Sequence, residues 1–172
     1  DGLVVMLDIG AISSSLIVYG KGQQFFTRDL PIGGHHFVKE VCDKKEISYT
    51  EAQDLLFKDG LNVLKSQGSD EQLSVVGIAE KTVYDNLIED LRRSLRFYGK
   101  QTGQSFFLKI FLTGGAAETP GLPEFVTEKL NIECAVFNPF ENITGSENIS
   151  VANKSQFVTA LGLGIRGSMT VG

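Results

Sequence analysis

Apolar positions open the chain as a continuous run from Leu3 to Leu7. They break at Asp8, Ile9, Gly10 and the serines Ser13, Ser14 and Ser15, and resume as Leu16, Ile17 and Val18. This pattern predicts two buried strands joined by a tight polar turn. A turn at Lys21 and Gly22 and the aromatic-rich stretch Gln23 to Leu30 predict a third strand, completing an antiparallel meander that Pro31 stops. Gly33 and Gly34 then release the backbone into a helix over His35 to Lys44, with Phe37, Val38 and Val41 inward.

Between Glu46 and Ile78 the composition turns polar and the strand signal disappears, as for a small helical insertion. Thr50 is a good N-cap for a helix running Glu51 to Leu64, and Ser66 to Gln72 reads as a loop. Between Ile78 and Gln101 the residues Val83, Leu87, Leu91, Leu95 and Tyr98 recur at helical spacing, predicting a long amphipathic helix. Arg92, Arg93 and Arg96, beside Glu89 and Asp90, form either a partner-binding patch or a plain solvated face. An apolar strand, Phe106 to Leu112, runs into Thr113, Gly114 and Gly115. Pro120 and Gly121 then break the chain before a helix over Leu122 to Leu130. A short strand from Glu133 to Phe137, a loop from Asn138 to Asn148 and a helix from Val151 to Ile165 follow. That last helix is lined by Phe157, Leu161 and Ile165, and Ala160, Gly162 and Gly164 offer a small-residue side that could press closely on the sheet. The fold class is α/β.

Composition narrows the function. Of 172 residues, 42% are hydrophobic and 22% charged, the balance of a globular domain with one sizeable core. A net charge of −5 leaves no excess of Lys and Arg to neutralise phosphates, so no nucleic-acid partner is expected. No apolar run is long enough to cross a bilayer and no signal peptide precedes the first strand, so no transmembrane segment is expected. Cys42 and Cys134 stand singly, as free thiols in a reducing compartment would, and the sequons at Asn142 and Asn148 then carry no glycan. His35 and His36 lack a companion ligand cluster and point about 100° apart on a helix, which favours capping or solvated roles over metal binding. The chain begins without methionine and is within a strand by Leu3, as expected of a piece of a longer protein.

Two stretches carry candidate chemistry. The turn after the first strand could hold phosphate oxygens on backbone N–H groups freed by Gly10, while Asp8 orients magnesium through its water shell. The alternative is an ordinary hairpin whose Asp and Ser side chains satisfy turn hydrogen bonds. Gly114 and Gly115 sit at the end of a buried parallel strand, where ligands of open α/β sheets lie against backbone. A common Gly-Gly turn is the alternative. Neither a GxGxxG fingerprint nor a GxxxxGK[ST] loop is present.

A DIGxxxS turn at Asp8 to Ser14, a strand ending in TGGxxxxxGL at Thr113 to Leu122 and a final AxGLxxR at Ala160 to Arg166 occur in that order. So arranged, the chain resembles the second half of an actin-like ATPase. Within that superfamily it is most similar to the PilM family of type IV pilus assembly, with FtsA and the cytoplasmic part of GspL as relatives. FTRDLPIGG at Phe26 to Gly34, EDLRRSLRFYGKQ at Glu89 to Gln101, the VFNPF run at Val136 to Phe140 and ALGLGIRG at Ala160 to Gly167 support the likeness.

The resemblance implies an RNase H-like actin-type subdomain over residues 1–44 and 83–172, with a mixed five-stranded sheet flanked by helices. A small, mostly helical subdomain over 45–82 would cover the adenine side of a cleft. It implies ATP and Mg between two halves. Asp8, Gly10, Ala11, Ser13 and Ser14 would form the second phosphate loop, with Ser14 where relatives have Thr, and Asp8 would hold Mg through water. Gly114, Gly115 and Ala116 would be the adenosine motif. Relatives carry AExxK in the helix over the adenine, where this chain has Ala52, Gln53 and Leu56, leaving Gln53 as the polar group there. No catalytic residue is implied in this half. The implied partners are the missing N-terminal half of the same protein and an inner-membrane pilus assembly protein such as PilN. The implied role is a cytoplasmic scaffold peripheral to the inner membrane. The alternatives are a fragment of an actin-superfamily phosphotransferase, such as a sugar or acetate kinase or an exopolyphosphatase, an FtsA- or GspL-type scaffold, or a degenerate half that only dimerises.

Overall fold

The computed structural model of the chain describes residues 2–64, 81–141 and 143–169. The expected loop over Ser66 to Gln72, the Ile78 start of the long helix and the sequon at Asn142 lie outside the described residues.

Strand β1, Leu3–Ile9, buries Leu3, Val5, Leu7 and Ile9 on one face and leaves Val4, Met6 and Asp8 half-covered on the other. This is the period-two alternation that a sheet with one filled face requires. β2, Ser14–Tyr19, returns antiparallel to it, and β3, Phe26–Leu30, pairs antiparallel with β2. β3 starts later than the expected Gln23. Its ladder begins where Val18 faces Phe26, and just before it the carbonyl of Gln24 accepts the Tyr98 hydroxyl at 3.1 Å instead of a strand partner. β4, Phe107–Thr113, lies parallel to β1 on its other side, and β5, Cys134–Val136, lies parallel to β4. The result is the expected mixed five-stranded sheet, in the order β3-β2-β1-β4-β5.

Helices fill the buried face. α1, Gly34–Lys45, contributes Phe37, Val38 and Val41, α3, Val83–Thr102, contributes Leu87, Leu91 and Leu95, and α4, Leu122–Leu130, contributes Leu122 and Val126. These pack with the β1, β2 and β4 side chains into one continuous core. α3 is the element whose periodicity is clearest, and its start is fixed by a capping box: Thr82 Oγ1 accepts the Asp85 N–H at 3.1 Å and Asp85 Oδ2 accepts the Thr82 N–H at 3.0 Å. Glu40 of α1 accepts the Val83 N–H at 2.8 Å, and Phe37 stacks on Tyr84 at 4.3 Å, so α1 and α3 are joined at both polar and apolar contacts.

α2 spans Tyr49–Asp59 and is capped by Ser48, not by Thr50 as the sequence suggests. Ser48 Oγ accepts the Glu51 N–H at 3.3 Å and Glu51 Oε2 accepts the Ser48 N–H at 3.0 Å, a reciprocal pair that starts α2 at Tyr49 and leaves Thr50 already inside the helix. The Ser48 hydroxyl and N–H hold the Glu51 carboxyl below its ordinary value. The helix ends at Gly60, whose φ of +60° and close approach to Pro120 exclude a side chain, and the chain continues as a 3-10 turn, Gly60–Leu64. Leu61 N–H donates to the Pro120 carbonyl at 3.0 Å, which pins the end of α2 to the glycine-bearing turn after β4.

The last helix corrects the sequence reading twice. α5 spans Val158–Met169 after a 3-10 turn, Ser155–Phe157, because Asn153 and Ser155 are taken up by hydrogen bonds to the turn after β4. Its small residues do not press on the sheet: none of its residues is buried, and the space beside Gly162 and Gly164 is open.

Leu91→Ala, which empties a fully buried position in the middle of α3, is expected to cost about 2–5 kcal/mol. Thr82→Ala, which removes one side of the capping box, is expected to cost about 1 kcal/mol. Urea unfolding followed by circular dichroism distinguishes the two, and equal losses would contradict the assignment of α3 as the central packing element.

Candidate functional site

The carboxyl ends of β1 and β4 lie side by side, with Asp8 opposite Thr113 in parallel register. The chain leaves β4 through Gly114, whose φ is +90° and whose missing Cβ makes room for the Asp8 carboxylate and the Ile9 carbonyl. Ala116 N–H donates to that Ile9 carbonyl at 3.3 Å, so the two glycine-bearing turns are bonded directly.

The first turn is closed by Gly10 N–H donating to the Ser13 carbonyl at 3.0 Å. The N–H groups of Ala11, Ile12 and Ser13 make no hydrogen bond to other described residues, and all three residues are exposed. Consecutive free N–H groups in a turn form a concavity suited to anionic oxygens. The turn is held from behind by the start of α1. Gly34 N–H donates to the Gly10 carbonyl at 2.9 Å and His35 N–H to the Ala11 carbonyl at 2.7 Å. A Cβ on Gly33 would lie 2.7 Å from Gly10 O, Ile12 C and Ser13 N, so the Gly33-Gly34 pair is what lets α1 seat against this loop. His36 Nδ1 accepts the Gly33 N–H at 3.1 Å, a capping role, and His35 stacks on Tyr49 at 5.4 Å. Among the described residues no group of His, Cys, Asp and Glu is arranged to hold a metal ion.

Between these turns lies a cavity of about 340 Å³. Gly10 and Ala11 line one side, Gly115 and Ala116 another, and Tyr49, Gln53 and Phe57 of α2 close over it. Five of the nine sequence-predicted site residues, Gly10, Ala11, Gln53, Gly115 and Ala116, therefore meet in one pocket. Asp8, Ser13, Ser14 and Gly114 do not line it. Asp8 stands on the half-covered face of the sheet against Gly114, and the Ser14 hydroxyl is buried and donates to the Ile32 carbonyl at 2.5 Å. Ser14 thus braces the loop from below. Ala52 faces the core, fully buried, which explains why only Gln53 of the α2 triplet presents a polar group to the pocket.

Sequence reasoning missed several lining residues. His35, Tyr49, Phe57, Asn153 and Gln156 all border the cavity. Asn153 Nδ2 donates to the Gly115 carbonyl at 3.0 Å, and Ser155 both accepts the Gly114 N–H on its carbonyl at 3.1 Å and donates its hydroxyl to Gly114 O at 3.0 Å. The segment before α5 therefore locks the second glycine turn. Nothing in the local spacing of Asn153 signals this, because the contact joins residues far apart in the chain. The Gly-Gly in FTRDLPIGG was the available signal for the α1 contact.

The fold is actin-like. A sequence profile for the type IV pilus assembly protein PilM matches residues 1–168, and the chain belongs to that family. It is 24% identical over 175 residues to the cell division protein FtsA of Bacillus subtilis (strain 168), covering 93% of this chain and 37% of FtsA. Among solved structures it is similar to a PilM-PilN type IV pilus biogenesis complex, with a TM-score of 0.71 and 23% identity over 97% of this chain and 46% of that one. It is also similar to MreB 5 of Spiroplasma citri bound to AMPPNP, with a TM-score of 0.63 and 12% identity over 98% of this chain and 54% of that one. The chain thus spans about half the length of the solved relatives and less of FtsA.

Gly114 and Gly115 are expected to respond differently to a small side chain. Gly114→Ala meets Asp8 and a strained φ and should lower the melting temperature by several degrees, whereas Gly115→Ala, with open space at its Cβ, should leave it within about a degree. Differential scanning calorimetry on the two variants checks this, and equal effects would refute the packing of the two turns.

Proposed function

We propose that this chain is half of an actin-like, ATP-binding scaffold of type IV pilus assembly, cytoplasmic and peripheral to the inner membrane. The observation that supports it best is the convergence of Gly10-Ala11 and Gly115-Ala116 on one pocket capped by Gln53. In this reading the base and ribose occupy the pocket and the phosphates run along the free N–H groups of Ala11, Ile12 and Ser13. Asp8, whose carboxylate stands against Gly114, would orient Mg through water. The residues present fit such a ligand: the loop offers unpaired N–H donors and the pocket walls are aromatic, amide and backbone groups. Residues 45–82 form the small subdomain over the base, and 1–44 with 83–172 the larger one.

The N-terminal half of the same protein is the first partner. It would cover the open sheet face of Val4, Met6, Ile17 and Phe111, and the exposed apolar residues of α5, Leu163, Ile165 and Met169. A PilN-type cytoplasmic tail is the second, in keeping with the similarity to a PilM-PilN complex. No helix among the described residues is long and apolar enough to cross a membrane, so attachment through a membrane-embedded partner is consistent with this chain. Hydrolysis is not assigned to this half, because phosphoryl transfer depends on positioning and charge from both sides of the phosphate chain. ATP then acts as a ligand that stabilises the closed two-half form by mass action.

In the full-length protein, Asp8→Ala is expected to abolish Mg-dependent ATP binding with the fold intact, and Gly115→Val to block the nucleotide sterically. Titration calorimetry with MgATP reads both. Unchanged affinity in Asp8→Ala would remove the phosphate-loop assignment, and unchanged affinity in Gly115→Val would remove the pocket.

A further inference from the structure

Buried polar atoms without a partner are few in a native fold, and each asks for a physical reason. Among the described residues two side-chain oxygens are buried with no hydrogen-bond partner, the Tyr84 hydroxyl and Thr113 Oγ1. The first belongs to a ring packed in the core against Phe37 and Phe125. The second belongs to the last residue of β4, immediately before Gly114, where the strand gives way to the second glycine turn. Thr113 is fully buried, so its hydroxyl is shut off from bulk water.

Its neighbours across the sheet are polar. In the parallel register Thr113 pairs with Asp8, and in the antiparallel registers Asp8 pairs with Ser15 and Ser15 with Asp29. Register partners share a face of the sheet, so Asp29, Ser15, Asp8 and Thr113 form one polar row across β3, β2, β1 and β4. Half of that row is satisfied internally, since Ser15 Oγ donates to Asp29 Oδ1 at 2.8 Å. The Asp8 carboxylate makes no hydrogen bond or ion pair with described residues. A free carboxylate and a free hydroxyl therefore stand side by side. Adjacent strands lie about 4.8 Å apart, near enough for a Thr hydroxyl to bond an Asp carboxylate directly. The missing Cβ of Gly114 also admits Asp8 Oδ1 beside the residue that follows Thr113.

We propose that Thr113 is a positioning residue for Asp8: its hydroxyl, the unused donor, fixes the carboxylate when Asp8 faces the hydrated magnesium of a bound nucleotide. The inference rests on the nucleotide reading above and adds to it a residue that does not line the pocket. A carboxylate that accepts one hydrogen bond from a buried hydroxyl has its second oxygen held in a fixed direction, free to accept from the water shell of a cation. Ser15, the other register partner of Asp8, cannot do this because its proton is committed to Asp29. A Thr kept only to fill space would be matched by Val, which has nearly the same shape and removes the unpaired group. The free hydroxyl thus sets stability of the empty protein against binding of its ligand.

The test uses the full-length protein with Thr113→Val and Thr113→Ser, titrated calorimetrically with ATP in magnesium and in EDTA, alongside thermal melting without nucleotide. Thr113→Val is expected to melt at or above the wild-type temperature, to keep its affinity for ATP in EDTA, and to lose about tenfold of the affinity that magnesium adds. Thr113→Ser keeps a hydroxyl and is expected to retain most of the magnesium effect. An undiminished magnesium effect in Thr113→Val, with Asp8→Ala losing that effect, would overturn this inference alone. A wild type that binds ATP equally in magnesium and in EDTA would overturn the Asp8 assignment and the inference with it. A Thr113→Val variant that melts lower and binds more weakly by the same factor in both buffers, or a Thr113→Ser variant indistinguishable from it, would reduce Thr113 to a packing residue.

Discussion

The parallel pairing of β1 with β4 is the contact on which everything else rests. It sets Asp8 opposite Thr113, so that both strands end at the same level and both following turns emerge together. Parallel strands need a long crossover, and here it runs from β2 through β3, α1, α2 and α3 before the chain returns as β4. The join is tight enough to admit only glycine at position 114, where a side chain would displace Asp8 or the Ile9 carbonyl. A pocket made this way owes its shape to backbone, and backbone shape is costly to distort.

Two sets of contacts then trim that pocket. The Gly33-Gly34 start of α1 backs the first turn, while Asn153 and Ser155 clasp the second. α2 closes the remaining side because Leu61 bonds to Pro120, directly after the second turn. Each wall of the cavity is thus tied to one of the two strand ends, and none depends on a salt bridge. The Ser14 hydroxyl shows the same economy: a polar group at the edge of a prospective phosphate loop is spent on holding the Ile32 carbonyl, which would otherwise lie buried and unpaired.

The sheet is filled on one face only. Leu3, Val5, Leu7 and Ile9 enter a closed core, while Val4, Met6 and Phe111 remain half-covered and no residue of α5 is buried. An α/β sheet normally buries both faces. The open face and the exposed α5 belong to a chain that spans about half the length of its solved relatives.

Local pattern was enough to read most elements, because they are decided by side chains a few residues apart. The alternation in Leu3–Ile9, the three-and-four spacing of Leu87, Leu91 and Leu95, and the Gly-Pro punctuation before Leu122 each express a period that survives in any context. The ordered motifs also sufficed to place the chain in its family and to nominate Gly10, Ala11, Gln53, Gly115 and Ala116. Tertiary structure decided the rest. Ser48 capped α2 because Glu51 stood three residues on to answer it, and α5 began late because Asn153 and Ser155 were claimed by a turn some forty residues away, the separations being 38 and 41. Tyr49, His35 and Asn153 joined the pocket for the same reason: side chains become neighbours there through strand pairing and helix packing, and no one-dimensional spacing records a distance across a fold.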